Sequence, residues 1–156
     1  MTEDILKGRV NMSIAYDKDF YGWVNEQAEL LRTGALNQLD IENLIEEVES
    51  MGRSELSALR NRLKILIAHL LKWKYQPTYQ GRSWALTIKG QRNDLKDLLD
   101  DSPSLKYKMR QNVFIKRAWK SAVIDVAKET GFDEKIFPIE PIWTLDEILS
   151  EDFLPQ

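Results

Sequence analysis

Between Asp40 and Pro77 the chain keeps a helical rhythm with no proline to break it. Apolar residues recur at Ile41, Leu44, Ile45, Val48, Met51, Leu56, Leu59, Leu63, Leu66, Leu70 and Trp73, mostly in steps of three and four. An α-helix brings positions so spaced to one face. The spacing therefore predicts a single helix over about 41–75, roughly 50 Å long at 1.5 Å per residue. Asp40 opens it, with Leu39 and Leu44 at the positions of a hydrophobic staple. Gly52 lies inside and costs about 1 kcal/mol relative to alanine. It marks either a bend or a close approach of another backbone. A rod of this length must be wrapped by the remaining segments, and its stripe is wide enough that four short partners need not cover all of it.

The flanking segments also read as helices. Asp17 is expected to cap the first one, with Tyr16 and Tyr21 as its staple, and Gly34 stops it. Its apolar face is Phe20, Trp23, Val24, Gln27 and Leu31. After the turn at residues 77–82, Ser83 is expected to cap a helix whose face is Trp84, Ile88, Gln91, Leu95, Leu98 and Leu99. Ser102-Pro103 signals another start, with serine as cap and proline at the first helical position. That fourth helix runs through Leu105, Met109, Val113, Ile115, Trp119, Val123 and Val126 to Gly131. The stretch FDEKIFPIEPIW carries two prolines and reads as an extended strap packed across the bundle. Thr144 and Glu147 have capping-box spacing ahead of a short last helix. The fold class is all-α: a helical bundle with one long central helix, three to four shorter helices and an extended C-terminal strap. Residues 1–15 read as a loose arm and residues 16–155 as a single helical domain.

The 156 residues include no cysteine, which excludes a disulfide scaffold, a zinc finger and a thiol nucleophile. No apolar run approaches the ~20 residues that span a bilayer, and the first residues lack a secretory pattern. The expectation is a cytoplasmic protein away from membranes. The net charge of -3 conceals a polarity. Residues 1–59 carry 5 Lys/Arg against 12 Asp/Glu, residues 60–120 carry 15 against 4, and residues 121–156 carry 2 against 9. A basic middle can neutralise acidic ends within the fold, or present a face to phosphates. The candidate phosphate contacts are Lys64, Lys72, Lys74, Arg82, Lys89, Lys108, Arg110, Lys116, Arg117 and Lys120. An acidic isoelectric point favours internal neutralisation.

Chemistry is sparse. His69 is the only histidine. There is no HExxH, no Glu-x-x-His pair, and no GxGxxG, GxxxxGKS or GxSxG. Glu42, Glu46 and Glu49 share a helix face, with Arg53 continuing the row. Carboxylates so placed can hold a hard divalent cation, or simply form a solvated face. Around the turn after residue 75, a helical hairpin would bring His69, Trp73, Gln76, Arg82, Trp84 and Arg92 together. Such a set makes either an anion or aromatic-ligand pocket or a polar joint, its donors satisfied by carbonyls and carboxylates.

The segments YDKDFYGW, EQAELLRTG, LDIENLIEEVESMG, LLKWKYQP, SWALTIKGQR, DSPSL and EDFLP occur in this order. In that joint order the chain resembles the bacterial family known as domain of unknown function 29, from about Tyr16 to Pro155. The resemblance implies an all-helical soluble fold and carries no activity, substrate, cofactor or catalytic residue to any position here. The leading expectation is a non-catalytic interaction module whose partner is another protein, or a second copy of this chain paired through the long helix. Its rivals are nucleic-acid association through residues 60–120 and a metal-dependent hydrolase built on Glu42, Glu46 and Glu49, with His69 as a further ligand. No cofactor is expected.

Overall fold

The computed structural model describes residues 13–156, and these residues are helical, with no strand among them. Most of the arm expected at 1–15 lies outside the described residues. Six α-helices follow in order: α1 (Phe20–Thr33), α2 (Ile41–Tyr75), α3 (Arg82–Asp101), α4 (Ser104–Met109), α5 (Asn112–Thr130) and α6 (Leu145–Leu149). Single 3-10 turns sit at Leu36–Gln38, Pro77–Tyr79 and Glu134–Ile136. The rod expected over 41–75 is one continuous helix of 35 residues. It passes through Gly52 unbroken, and a Cβ built at Gly52 would meet nothing within 4 Å, so among the described residues no other backbone approaches there.

Within the span read as one helical domain, the chain forms two compact units, Met1–Arg53 and Ser54–Gln156. The long helix contributes its first turns to one and the rest to the other.

The second unit holds the apolar core. Leu59, Leu63, Leu66, Ile67, Leu70 and Leu71 of α2 are fully buried. Ile88, Leu95 and Leu99 of α3 pack with them, as do Leu105, Met109, Phe114, Trp119, Ala122 and Val126 of α4 and α5. The strap adds Phe137 and Trp143, and α6 adds Ile148. The Trp119 indole donates to Pro138 O at 2.8 Å, which lets a large ring sit inside without an unmet N–H. Trp143 meets Trp119 and Phe153 edge-on.

Several ends differ from the sequence expectation, each for a local reason. Asp19, not Asp17, caps α1: its carboxylate accepts from Gly22 N at 3.0 Å. Tyr16 does not staple to Tyr21; its hydroxyl donates to Glu47 and its ring meets Phe20 and Trp23. Helix α3 starts one residue before Ser83, behind an extended Gly81, with no side-chain cap. Ser102 does not cap the helix after it; Pro103 is already in helical conformation and α4 begins at Ser104. The fourth helix expected to run to Gly131 is two helices, parted at Arg110–Gln111, where Gln111 turns extended. Glycine ends α1 and α5 as expected, with Gly34 at φ 77 and Gly131 at φ 74, a region costly for a residue with a Cβ. The capping box at Thr144 and Glu147 forms, with both hydrogen bonds present.

Candidate functional site

The six residues expected to cluster are His69, Trp73, Gln76, Arg82, Trp84 and Arg92. No hydrogen bond, ion pair or ring contact joins any two of them. His69 is half-buried, and its Nδ1 lies 3.0 Å from Ile65 O, one turn earlier on its own helix. A carbonyl partner makes that nitrogen the protonated one in the neutral ring. Burial pushes the His69 pKa below its ordinary value and the Lys72 charge adds to this, while the Ile65 carbonyl and Glu129 oppose it. Trp73 gives its carbonyl to Gln80 Nε2. Trp84 lies under the Lys72 ammonium, 5.4 Å from the ring centroid. Arg82 is exposed and Gln76 half-buried.

Arg92 is buried, and its job is structural. Its Nε donates to Ile148 O at 2.9 Å, and its terminal nitrogens donate to Glu151 O at 3.4 Å and Phe153 O at 2.7 Å. Three backbone acceptors, with Asp152 and Glu151 close by, hold the charge in a site that burial alone would disfavour. Arg92 thus makes a polar joint between α3 and the chain around α6. A cavity of about 390 Å³ lies beside the joint, lined by Ile88, Lys89, Asn93, Asp152 and Leu154.

Two carboxylates of the α2 row face a cation of their own chain. Glu46 Oε1 is 2.7 Å and Glu49 Oε2 3.7 Å from the Arg53 guanidinium. Among the described residues no group of three or more acidic or histidine side chains is placed to hold a metal ion. Glu42, Glu46 and Glu49 are all exposed.

The basic segment is partly neutralised inside the fold. Lys72 is buried and bonds Glu129 at 2.9 Å, while Lys74 donates to Gln156 O at 2.7 Å. Lys64 pairs with Asp125 at 3.1 Å, Arg62 with Asp94 at 2.8 Å, Lys116 with Glu140 at 3.2 Å and Arg110 with Asp146 at 3.8 Å. Among the described residues, no carboxylate pairs with Lys89, Lys108, Arg117 or Lys120, all exposed.

An open apolar feature lies in the first unit, on the faces read from sequence as apolar. Helix α1 and the first turns of α2 line a groove of about 320 Å³. Phe20, Val24, Ala28 and Leu31 form one wall; Leu44, Val48 and Met51 form the other. Its floor is polar-locked. Trp23, 2 % exposed, donates its indole N–H to Asp40 Oδ2 at 3.0 Å. Asn43 Nδ2 donates to the same oxygen at 2.8 Å, and Asp40 N donates to the buried Gln27 Oε1 at 2.8 Å. The bonds from Asn43 and Trp23 hold the Asp40 carboxyl below the usual carboxylate range, against some desolvation. Above this floor the walls face outward: Phe20 is 50 % exposed, Leu31 51 %, Val48 60 % and Met51 62 %. Ile41 and Ile45 extend the exposed apolar surface along α2. The sequence signal for this exposure was the width of the α2 stripe, which four short partners need not cover entirely.

No helix among the described residues is long and apolar enough to cross a membrane. No curated protein and no solved structure matches the chain. The order of segments noted above does find its counterpart, in a family model that matches residues 15–154 and so takes in both units: the chain belongs to the family described as domain of unknown function DUF29.

Proposed function

We propose that this protein is a non-catalytic interaction module whose α1–α2 groove docks an amphipathic helix of a partner protein. The carrying observation is the outward-facing apolar lining held over a hydrogen-bonded floor. Contiguous exposed apolar surface of this kind normally marks an interaction site. Two helices side by side leave a trough that a third helix fills with residues at i, i+3, i+4 and i+7. The lack of cysteine is in keeping with a cytoplasmic setting. Photo-crosslinking from position 48 of the full chain, in a native lysate, tests the reading. The adduct should fall on one defined protein, within an amphipathic helical segment, and vanish with Val24→Asp. A diffuse set of adducts unchanged by Val24→Asp overturns it, as does reproducible turnover in a broad hydrolase screen.

A second reading, nucleic-acid association, draws on one specific feature. Residues 102–124 carry six Lys/Arg and no carboxylate. Lys108 and Lys120 are exposed on α4 and α5, and so is Arg117. Binding of this kind falls steeply with added salt. Undetectable binding to single- and double-stranded DNA and RNA at low ionic strength removes it.

A further inference from the structure

We infer that the helix seated in the α1–α2 groove is α2 of a second copy of this chain, each copy filling the groove of the other about a two-fold axis. The inference rests on the helix-docking reading and names the partner. The groove calls for an amphipathic helix with an uncovered apolar row, and this chain carries such a row beside it. Ile41, Ile45 and Val48 stand at i, i+4 and i+7 on α2, all exposed. Val48 also lines the groove, whereas Ile41 and Ile45 do not, so an apolar ridge and the groove lie side by side on one helix. A single foreign helix needs only the groove. A second copy sets the ridge of each chain into the groove of the other and covers both. Gly52 continues the row at i+11 and costs the helix about 1 kcal/mol relative to alanine. A Cβ built there meets nothing within 4 Å, so no contact among the described residues accounts for the glycine. On an exposed apolar row, a glycine admits the close approach of another helix's backbone.

Charge and area both permit this pairing. An isologous interface sets a patch against itself, so the patch must be self-complementary. The groove lining is apolar save for Gln27 and Glu47, and both are engaged: Gln27 accepts from Asp40 N, and Glu47 accepts from the Tyr16 hydroxyl. Glu42, Glu46 and Glu49 lie on the side of α2 away from that lining, so the two-fold does not press the carboxylate rows together. The exposed apolar side chains of groove and ridge run from 39 % exposed at Val24 to 62 % at Met51. They present on the order of 700 Å² per copy, near the ~800 Å² a side of a standard-size interface. Among its described residues the first unit buries only Trp23 and Gln27, so its apolar faces have little cover within the chain.

Sedimentation equilibrium of the full chain, from micromolar to submillimolar concentration, tests the pairing. A monomer–dimer equilibrium is expected. Val48→Asp on the ridge and Val24→Asp on the facing wall should each weaken it. Burying one valine is worth about tenfold in affinity, and every contact of an isologous interface occurs twice, so the dissociation constant should rise about a hundredfold. In the dilute monomer Val48→Asp alters only a solvent-facing side chain, so loss of the dimer is not loss of the fold. Gly52→Leu should also weaken the dimer, because the added side chain stands where the second backbone approaches. The same substitution should leave the dilute monomer at least as stable to urea, since leucine favours a helix more than glycine does. A chain that stays monomeric, and whose position-48 crosslink falls on a different protein, leaves helix docking standing and overturns the second copy as occupant. A monomer without a defined crosslink overturns both. A dimer that survives Val48→Asp and Val24→Asp, or that Gly52→Leu strengthens, pairs through another surface and overturns the inference.

Discussion

The guanidinium of Arg92 reaches the carbonyl oxygens of Ile148, Glu151 and Phe153, all on α6 or just after it. Arg92→Met keeps most of the volume and strands three acceptors. A hydrogen bond to a charged group is worth ~1.5–3 kcal/mol, and one of the three is long at 3.4 Å. The expected loss is about 3 kcal/mol in urea denaturation, with Arg92→Lys falling between. His69 is expected to make stability pH-dependent. Its pKa is lowered in the fold, so its contribution is fully present above the unfolded value near 6.5 and declines as pH falls from there through the folded value. His69→Gln should flatten the denaturation midpoint across that window. An unchanged slope would mean that the imidazole titrates as freely folded as unfolded. Asp40 has the same sign lower down. Its depressed pKa means stability held above the ordinary carboxylate value and lost as pH falls through the folded one.

At the scale of the element, two glycines inside helices behave oppositely. A Cβ at Gly52 meets nothing within 4 Å. Gly52→Ala should therefore stabilise by about 1 kcal/mol, the helix-propensity difference, read as a rise in thermal midpoint. A Cβ at Gly22 would lie 2.3 Å from Asp19 Oδ2, the carboxylate that caps α1. Gly22→Ala gains the same propensity and displaces a cap worth ~1 kcal/mol, so the two effects nearly cancel. Thr144→Ala breaks both arms of the capping box and should cost about 1 kcal/mol in chemical denaturation. Element boundaries were the least readable part of the sequence for the same reason. Asp17 and Asp19 are equally good caps by composition, and only the backbone at 19 decides which carboxylate meets a free N–H. Likewise Met109 and Val113 keep a helical step of four, and the break between α4 and α5 leaves no mark in the apolar pattern.

Across the whole molecule, the two units differ in how much they bury. Among its described residues the first buries only Trp23 and Gln27, whereas the second encloses a continuous cluster from Leu59 to Ile148. Opening free energy follows buried apolar contact. Amides of α1 should therefore exchange with solvent well before those of α2 around Leu63–Leu71, measured by native-state hydrogen exchange. Equal protection would show that α1 is covered in solution by something beyond the contacts described. Leu66→Ala, at a fully buried position, should cost ~2–5 kcal/mol, while Val48→Asp, at an exposed one, should leave the denaturation midpoint within about 0.5 kcal/mol.

Periodicity, glycine stops and one capping box were enough to determine an all-helical chain, the extent of its 35-residue helix and which stretches carry apolar faces. These are properties of near neighbours, and a helix brings residues three and four apart together whatever surrounds it. Which apolar face is covered is decided by segments distant in sequence. Leu63 and Val48 belong to one stripe on one helix, yet one is enclosed and the other open. The same holds for polar residues. His69, Trp84 and Arg92 were grouped by their nearness to one turn, and their partners are a carbonyl on the same helix, a lysine across that turn, and the backbone around α6. Only the tertiary structure sets which faces and donors meet, because such meetings depend on distances between segments that local spacing does not encode.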